Sequence, residues 1–166
     1  MEETGETPVM FLLTDPQSGY VGEICQWLMD WWGREEHFSE EKMHSYVCNS
    51  LCAGRIPQTH LLLLGGDAVG MYQLSMADLE VRPDIYPWLI NVFVKEEYRG
   101  RGYLKLLVDS AIKEAEKLGL RELYLFTKYA GLYERYGWSL VETFRTFLTE
   151  DDVQRLYRLE ISEKYC

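Results

Sequence analysis

Residues 99–105 read Arg-Gly-Arg-Gly-Tyr-Leu-Lys, which places two glycines and three cations in seven positions. Gly100 and Gly102 let the backbone turn tightly and come close to a ligand. Before them, Leu89–Val94 is apolar and β-branched enough to form a strand. After them, Leu104, Leu107, Val108, Ala111, Ile112, Ala115 and Leu118 repeat at the spacing of one helix face, and Gly119 sits where a helix-ending glycine belongs. The unpaired N–H groups of a first helical turn point into such a bend, with the positive end of the helix dipole behind them. Strand, glycine turn and helix N-terminus together make an anion site, and a pyrophosphate is its usual guest. No G-x-x-x-x-G-K-[ST] is present, and Lys105 breaks a G-x-G-x-x-G reading, so neither a P-loop nor a dinucleotide fingerprint accounts for the turn. A plain strand-to-helix turn with surface arginines would use the same residues.

Other elements must hold this turn in place. Val9–Leu13 reads as a strand closed by Asp15-Pro16, and Tyr20–Trp32 as a helix stopped by Gly33. Ser39 caps a second helix whose buried stripe is Met43, Tyr46, Val47 and Leu51. Thr59–Leu64 and Ala68–Ser75 are strands around the Gly65-Gly66-Asp67 hairpin signal. Asp78–Pro87 is a loop. Leu123–Thr127 is a strand expected parallel to Leu89–Val94 across the helix. A short helix over Ala130–Tyr136, a strand over Ser139–Leu148, a turn at Thr149–Asp152 and a strand over Arg155–Ile161 complete the order. That order predicts an α/β fold: a mixed sheet of about six to seven strands with helices on both faces.

Composition sets the bounds. A chain of 166 residues, 47% hydrophobic and 27% charged, is expected to form one domain over 1–166, with residues 1–7 loose. No apolar run reaches the roughly 20 residues of a membrane span, and the acidic start MEETGETPVM is unlike a signal peptide, so a cytoplasmic protein without a membrane partner is expected. The net charge of −10 argues against nucleic acid as a partner and suits a cationic substrate. Cys25, Cys48, Cys52 and Cys166 lack paired C-x-x-C spacing, and His37, His44 and His60 lack ligand spacing, so no metal is expected.

The turn resembles the coenzyme A signature R/Q-x-x-G-x-G/A of the GNAT superfamily of N-acetyltransferases, with Arg99 and Gly102 in place and Leu104 where a Gly or Ala is usual. Leu132-Tyr133-Glu134-Arg135-Tyr136-Gly137-Trp138 is similar to that family's L-Y-E-K-x-G-F segment, and the order of elements is the GNAT order. The general look is nearest to bacterial small-molecule acetyltransferases, some of which modify aminoglycosides. The resemblance implies splayed central strands with acetyl-CoA between them and a possible homodimer. It also implies cofactor contacts at Val92, Phe93, Val94, Arg99, Gly100, Arg101, Gly102, Tyr103, Leu104 and Lys105. Backbone N–H groups of Val92–Val94 would meet the thioester carbonyl, and Tyr133 would be the acid that protonates the departing thiolate, with Tyr129 its competitor.

The acceptor implied is a primary amine on a small cationic molecule. Trp31 and Trp32, beside Asp30, Glu35 and Glu36, could hold such a cation by cation–π and charge contacts, and Asp84 lies in the loop expected to face them. The family's carboxylate base has no counterpart in Trp88-Leu89-Ile90-Asn91. Asp78, Glu80 and Asp84 are the nearest acids, and the base stays unassigned. Two alternatives share the fold. One is a non-catalytic acyl-CoA-binding or sensing module, suggested by Leu104 and the missing base. The other is a protein or peptide N-acetyltransferase.

Overall fold

The computed structural model describes residues 5–145 and 153–162. Seven strands form one sheet: β1 (Val9–Leu13), β2 (Gln58–Leu64), β3 (Asp67–Ser75), β4 (Trp88–Val94), β5 (Glu122–Thr127), β6 (Ser139–Arg145) and β7 (Val153–Glu160). Their spatial order is β1-β2-β3-β4-β5-β7-β6. Neighbours are antiparallel except β4 and β5, which are parallel. The helices are α1 (Gly19–Leu28), α2 (Glu40–Cys48) and α3 (Tyr103–Lys117). The expected turn at Thr149–Asp152 and the end of the strand expected to reach Leu148 lie outside the described residues.

Local chemistry explains most boundaries. Ser18 and Ser39 cap α1 and α2, accepting from the N–H groups of Tyr20 and Lys42. Gly65 and Gly66 join β2 to β3 with φ of 59° and 87°, the two left-handed positions a two-residue hairpin of this twist requires. Two expected helices are corrected. Tyr20–Trp32 is α-helical only to Leu28, and Met29–Gly33 winds one wider π turn. Ala130–Tyr136 yields a single 3₁₀ turn over Tyr133–Tyr136, because Gly131 at φ 75° interrupts a segment too short to nucleate a helix.

The core has two layers, one on each face of the sheet. On one face α3 buries Leu107, Val108, Ala111 and Ala115 against Tyr72, Leu74, Leu89 and Leu125. On the other, α1 and α2 bury Ile24, Leu28, Met43 and Val47 against Leu61 and Met71. The period-2 alternation of β4 divides its own side chains between the layers. Val92 and Val94 pack toward α3, and Phe93 packs toward α1 and α2. The middle of β4 therefore borders both halves of the molecule.

Candidate active site

β4 and β5 meet at one register pair, Trp88 with Tyr124, after which they diverge. By contrast β5 and β7 stay paired over six residues. The divergence leaves the C-terminal end of β4, Val92 to Val94, without a ladder partner on the β5 side. β4 is also irregular toward β3. Gln73 pairs with Ile90 and Met71 with Phe93, so Tyr72 alone faces two residues, Asn91 and Val92. This is a β-bulge, and Asn91 stands in it at φ 49°, a left-handed conformation that asparagine tolerates better than most residues.

The glycine turn lies beyond the open end of β4. Gly100 (φ 76°) and Gly102 (φ 81°) both take left-handed backbone, and a Cβ at either would meet open space. Gly102 is the N-cap of α3, so no side chain caps that helix, and no acid occupies its first turn. Its first N–H groups are left to an outside acceptor. Three cations surround it. Arg99 Nε donates to the Val94 carbonyl at 2.9 Å, Arg101 reaches the Glu97 carbonyl and lies 5.3 Å over the Tyr98 ring, and Lys105 pairs with Asp109. Tyr103 and Leu104 turn partly into the α3 core. An uncapped N-terminus, open space over two glycines and a cationic surround fit a diphosphate.

Tyr133 lies in the same α3-side core as Val92 and Val94. It is 7% exposed, and its ring lies 6.0 Å from Trp138, 6.1 Å from Tyr157 and 6.5 Å from Tyr136. Burial, then the neighbouring Tyr136 and Tyr129 hydroxyls, push its phenol up to about 12. Tyr129 is the opposite case: 57% exposed, with Lys128 beside its ring.

The α1–α2 side carries an aromatic wall. Trp31 is 46% exposed and lies against Phe93 at 5.9 Å, with Trp27 on the same ring at 5.1 Å. Trp32 is turned the other way, edge-on to Phe38 and Tyr46. A polar chain runs behind them. Trp32 Nε1 donates to Asn91 Oδ1 at 3.0 Å, and Asn91 Nδ2 donates to Tyr46 Oη at 3.2 Å and to Gln73 Oε1 at 2.6 Å. Gln73 donates to Thr59, and Thr59 to the Ser50 carbonyl. The charges of Asp78 and Glu36 act on the Tyr46 phenol, after burial and the Asn91 hydrogen bond. Asp78 is reachable by solvent but enclosed by protein, and this desolvation, with the Glu36 charge second, pushes its carboxyl up to about 7. The sequence reading names Asp78 among the nearest acids and places Tyr46 in the buried stripe of α2, but gives Asn91 no role. An asparagine inside an otherwise apolar strand is the one local signal that marks the place.

Asp84 is placed differently from the tryptophans. Both its carboxylate oxygens meet Arg82 at 2.9 Å, and Arg82 also reaches Glu142 on β6. No contact joins Asp84 to Trp31 or Trp32 among the described residues. Among those residues, too, no three His, Cys, Asp or Glu side chains are grouped so as to hold a metal ion, and no helix is long and apolar enough to cross a membrane.

Solved structures share this fold. The fold matches an acetyltransferase of the GNAT family from Streptococcus pneumoniae with a TM-score of 0.71 at 18% identity, covering 94% of this chain and 100% of that one. An aminoglycoside 6'-N-acetyltransferase complexed with coenzyme A matches at 0.74 and 13% identity, covering 95% and 99%. A GNAT family acetyltransferase from Elizabethkingia anophelis with acetyl-CoA bound matches at 0.60 and 17% identity, covering 92% and 97%. No curated protein matches the sequence. The model of the acetyltransferase (GNAT) family matches residues 21–138, the span from α1 through the glycine turn to Trp138, and the chain belongs to that family.

Proposed function

We propose that this acetyltransferase moves the acetyl group of acetyl-CoA to a primary amine on a small cationic molecule. The observation that carries the reading is the division of β4. Val92 and Val94 pack in the α3-side layer that also holds Tyr133, while Phe93 packs in the α1–α2 layer against the exposed Trp31. A donor and an acceptor can thus meet across one strand.

In this reading the N–H groups of 100–105, with Arg99, Arg101 and Lys105, hold the pyrophosphate. The backbone of Val92, Phe93 and Val94 holds the pantetheine chain and donates to the thioester carbonyl, where negative charge develops as nitrogen attacks. Leu104 in place of a smaller residue does not close the site, because the donors are backbone groups. Tyr133 delivers a proton to the departing thiolate. A phenol pushed up to about 12 stays protonated throughout the physiological range and can serve a thiol leaving group. On the acceptor side Trp31 offers an exposed ring face to a cation, and Glu36 and Asp78 supply opposite charge.

A panel of amines graded by charge, assayed for thiol release from acetyl-CoA, tests this. Cationic amines should turn over, with an apparent affinity that falls as salt is added. Turnover confined to anionic or neutral acceptors, or indifferent to salt, contradicts it.

A further inference from the structure

We propose that Tyr157 is a positioning residue for Tyr133: its hydroxyl, bonded to the Glu134 carboxylate, holds the turn that aims the Tyr133 phenol at the departing thiolate. This inference rests on the reading of Tyr133 as the acid.

A proton donor needs a fixed direction, and the backbone that carries Tyr133 gives it little. Tyr133–Tyr136 is a single 3₁₀ turn of four residues. The Gly137 N–H closes it on the Glu134 carbonyl and the Trp138 N–H on the Tyr133 carbonyl, both at 3.2 Å. Left-handed glycines stand on either side, Gly131 at φ 75° and Gly137 at φ 88°. A 3₁₀ turn bonds less well than an α-helix, and a glycine at each flank lets the chain pivot there. Its direction must come from outside.

Strand β7 supplies it. Tyr157 is fully buried, and it lies between two paired strands, opposite Leu125 of β5 and Leu140 of β6. From that fixed place it meets the turn twice. Its ring lies 6.1 Å from the Tyr133 ring, and its Oη donates to Glu134 Oε1 at 2.6 Å. A hydrogen bond to a carboxylate is among the stronger ones, and this one grips the residue next to Tyr133. Two residues earlier on β7, Arg155 Nη1 donates to the Lys128 carbonyl at 2.8 Å. One strand thus holds the connection from β5 to β6 at two points, Lys128 and Glu134.

The bond to Glu134 is fit to set direction rather than to hold the fold. Glu134 is exposed, so water can take the place of Tyr157 on its carboxylate. The Tyr157 hydroxyl is also the first cause that holds this carboxyl below its ordinary range, so the group stays ionised and bonded near neutrality.

The test is a double-mutant cycle in kcat, with an amine that the wild type turns over and with acetyl-CoA affinity measured beside it. Tyr157→Phe and Glu134→Leu should each lose on the order of tenfold in kcat, the effect of a misaimed group, with acetyl-CoA affinity and melting temperature near the wild type. Glu134→Gln keeps an acceptor oxygen and should retain most of the rate. In Tyr133→Phe no hydroxyl is left to aim, so adding Tyr157→Phe should cost nothing further. Should Tyr157→Phe melt early, Glu134→Leu runs the same cycle from the exposed end of the bond. Losses that multiply, or wild-type kcat in Tyr157→Phe, overturn the inference, with acetyl transfer itself standing. If the wild type acetylates no amine, or Tyr133→Phe keeps wild-type kcat, the underlying reading falls and this inference with it.

Discussion

Trp32 Nε1 and Asn91 Oδ1 lie 3.0 Å apart, and their hydrogen bond joins the α1–α2 connection to the bulge of β4. The two residues are 59 positions apart in sequence. Left-handed backbone at a non-glycine residue is sparsely populated and persists where surroundings over-determine it. Here the surroundings are Trp32, Tyr46 and Gln73, which together satisfy the whole Asn91 amide.

Replacing Asn91 by glycine keeps the φ of 49° accessible while removing those bonds. Trp32 Nε1 and Gln73 lose partners in a part-buried setting, so denaturant titration should show a loss of about 1–3 kcal/mol. Asn91→Gly should still bind acetyl-CoA near the wild-type level but turn over more slowly, because the acceptor wall is no longer tied to β4. Calorimetry and steady-state rates on one preparation decide it. Unchanged turnover would show that the wall needs no such tie.

Gly102 tests the anion site. Its φ of 81° disfavours any side chain, and a branched one would also stand over the first N–H groups of α3. Gly102→Val should weaken acetyl-CoA binding at least about tenfold, the equivalent of one good hydrogen bond to a charged group. Equal affinity in a folded variant would remove the glycine turn from the site.

The two tyrosines separate by hydroxyl deletion. Tyr133→Phe removes one oxygen and leaves the ring packed against Trp138 and Tyr157. Its kcat should fall on the order of 10²-fold, with acetyl-CoA binding little changed. Tyr129→Phe should keep wild-type turnover. The reverse pattern would move the acid to Tyr129.

Much of this is legible in the chain. The strand, glycine turn and helix of 89–119 are written in local pattern, because φ above zero demands glycine and a buried helix face repeats at 3.6. The two-layer sheet follows from the alternation of elements. Other features depend on contacts that sequence neighbours do not record. Asn91 gains its role from Trp32, Tyr46 and Gln73, at separations of 59, 45 and 18 residues. Asp78 keeps the exposure of a loop charge, and the Glu36 charge that helps raise its carboxyl comes from a distant part of the chain. Asp84 has the same local look, yet Arg82 claims it two residues away. The π turn at Met29–Gly33 carries no pattern distinct from the helix it extends.

Stability should respond to pH in two opposed ways. His60 is buried, stacked on Tyr72 and bonded to Gln58. Desolvation first, with Glu114 opposing and Lys117 adding, pulls its imidazole down to about 4. The unfolded chain therefore binds a proton between about pH 6.5 and 4 that the folded chain refuses. The stabilisation is whole above 6.5 and is lost as pH falls toward 4, by at most about 3 kcal/mol. Asp78 acts the other way: its carboxyl is raised, so ionising it costs the folded state, and that cost grows from about pH 4 to 7. His60→Leu should flatten the acid side of the stability profile. Asp78→Asn should gain on the wild type as pH rises through that window. Melting temperatures of the three proteins from pH 4.5 to 8 test both signs.

Acetyl-CoA is expected along the open end of β4, with its pyrophosphate on the glycine turn. Amide hydrogen exchange with and without acetyl-CoA reads this directly. Exchange should slow at Val92–Val94 and at 100–105, and stay unchanged on β1 and β6 at the sheet's two edges. Saturating acetyl-CoA that leaves both β4 and the turn exchanging at their free rates would contradict the account.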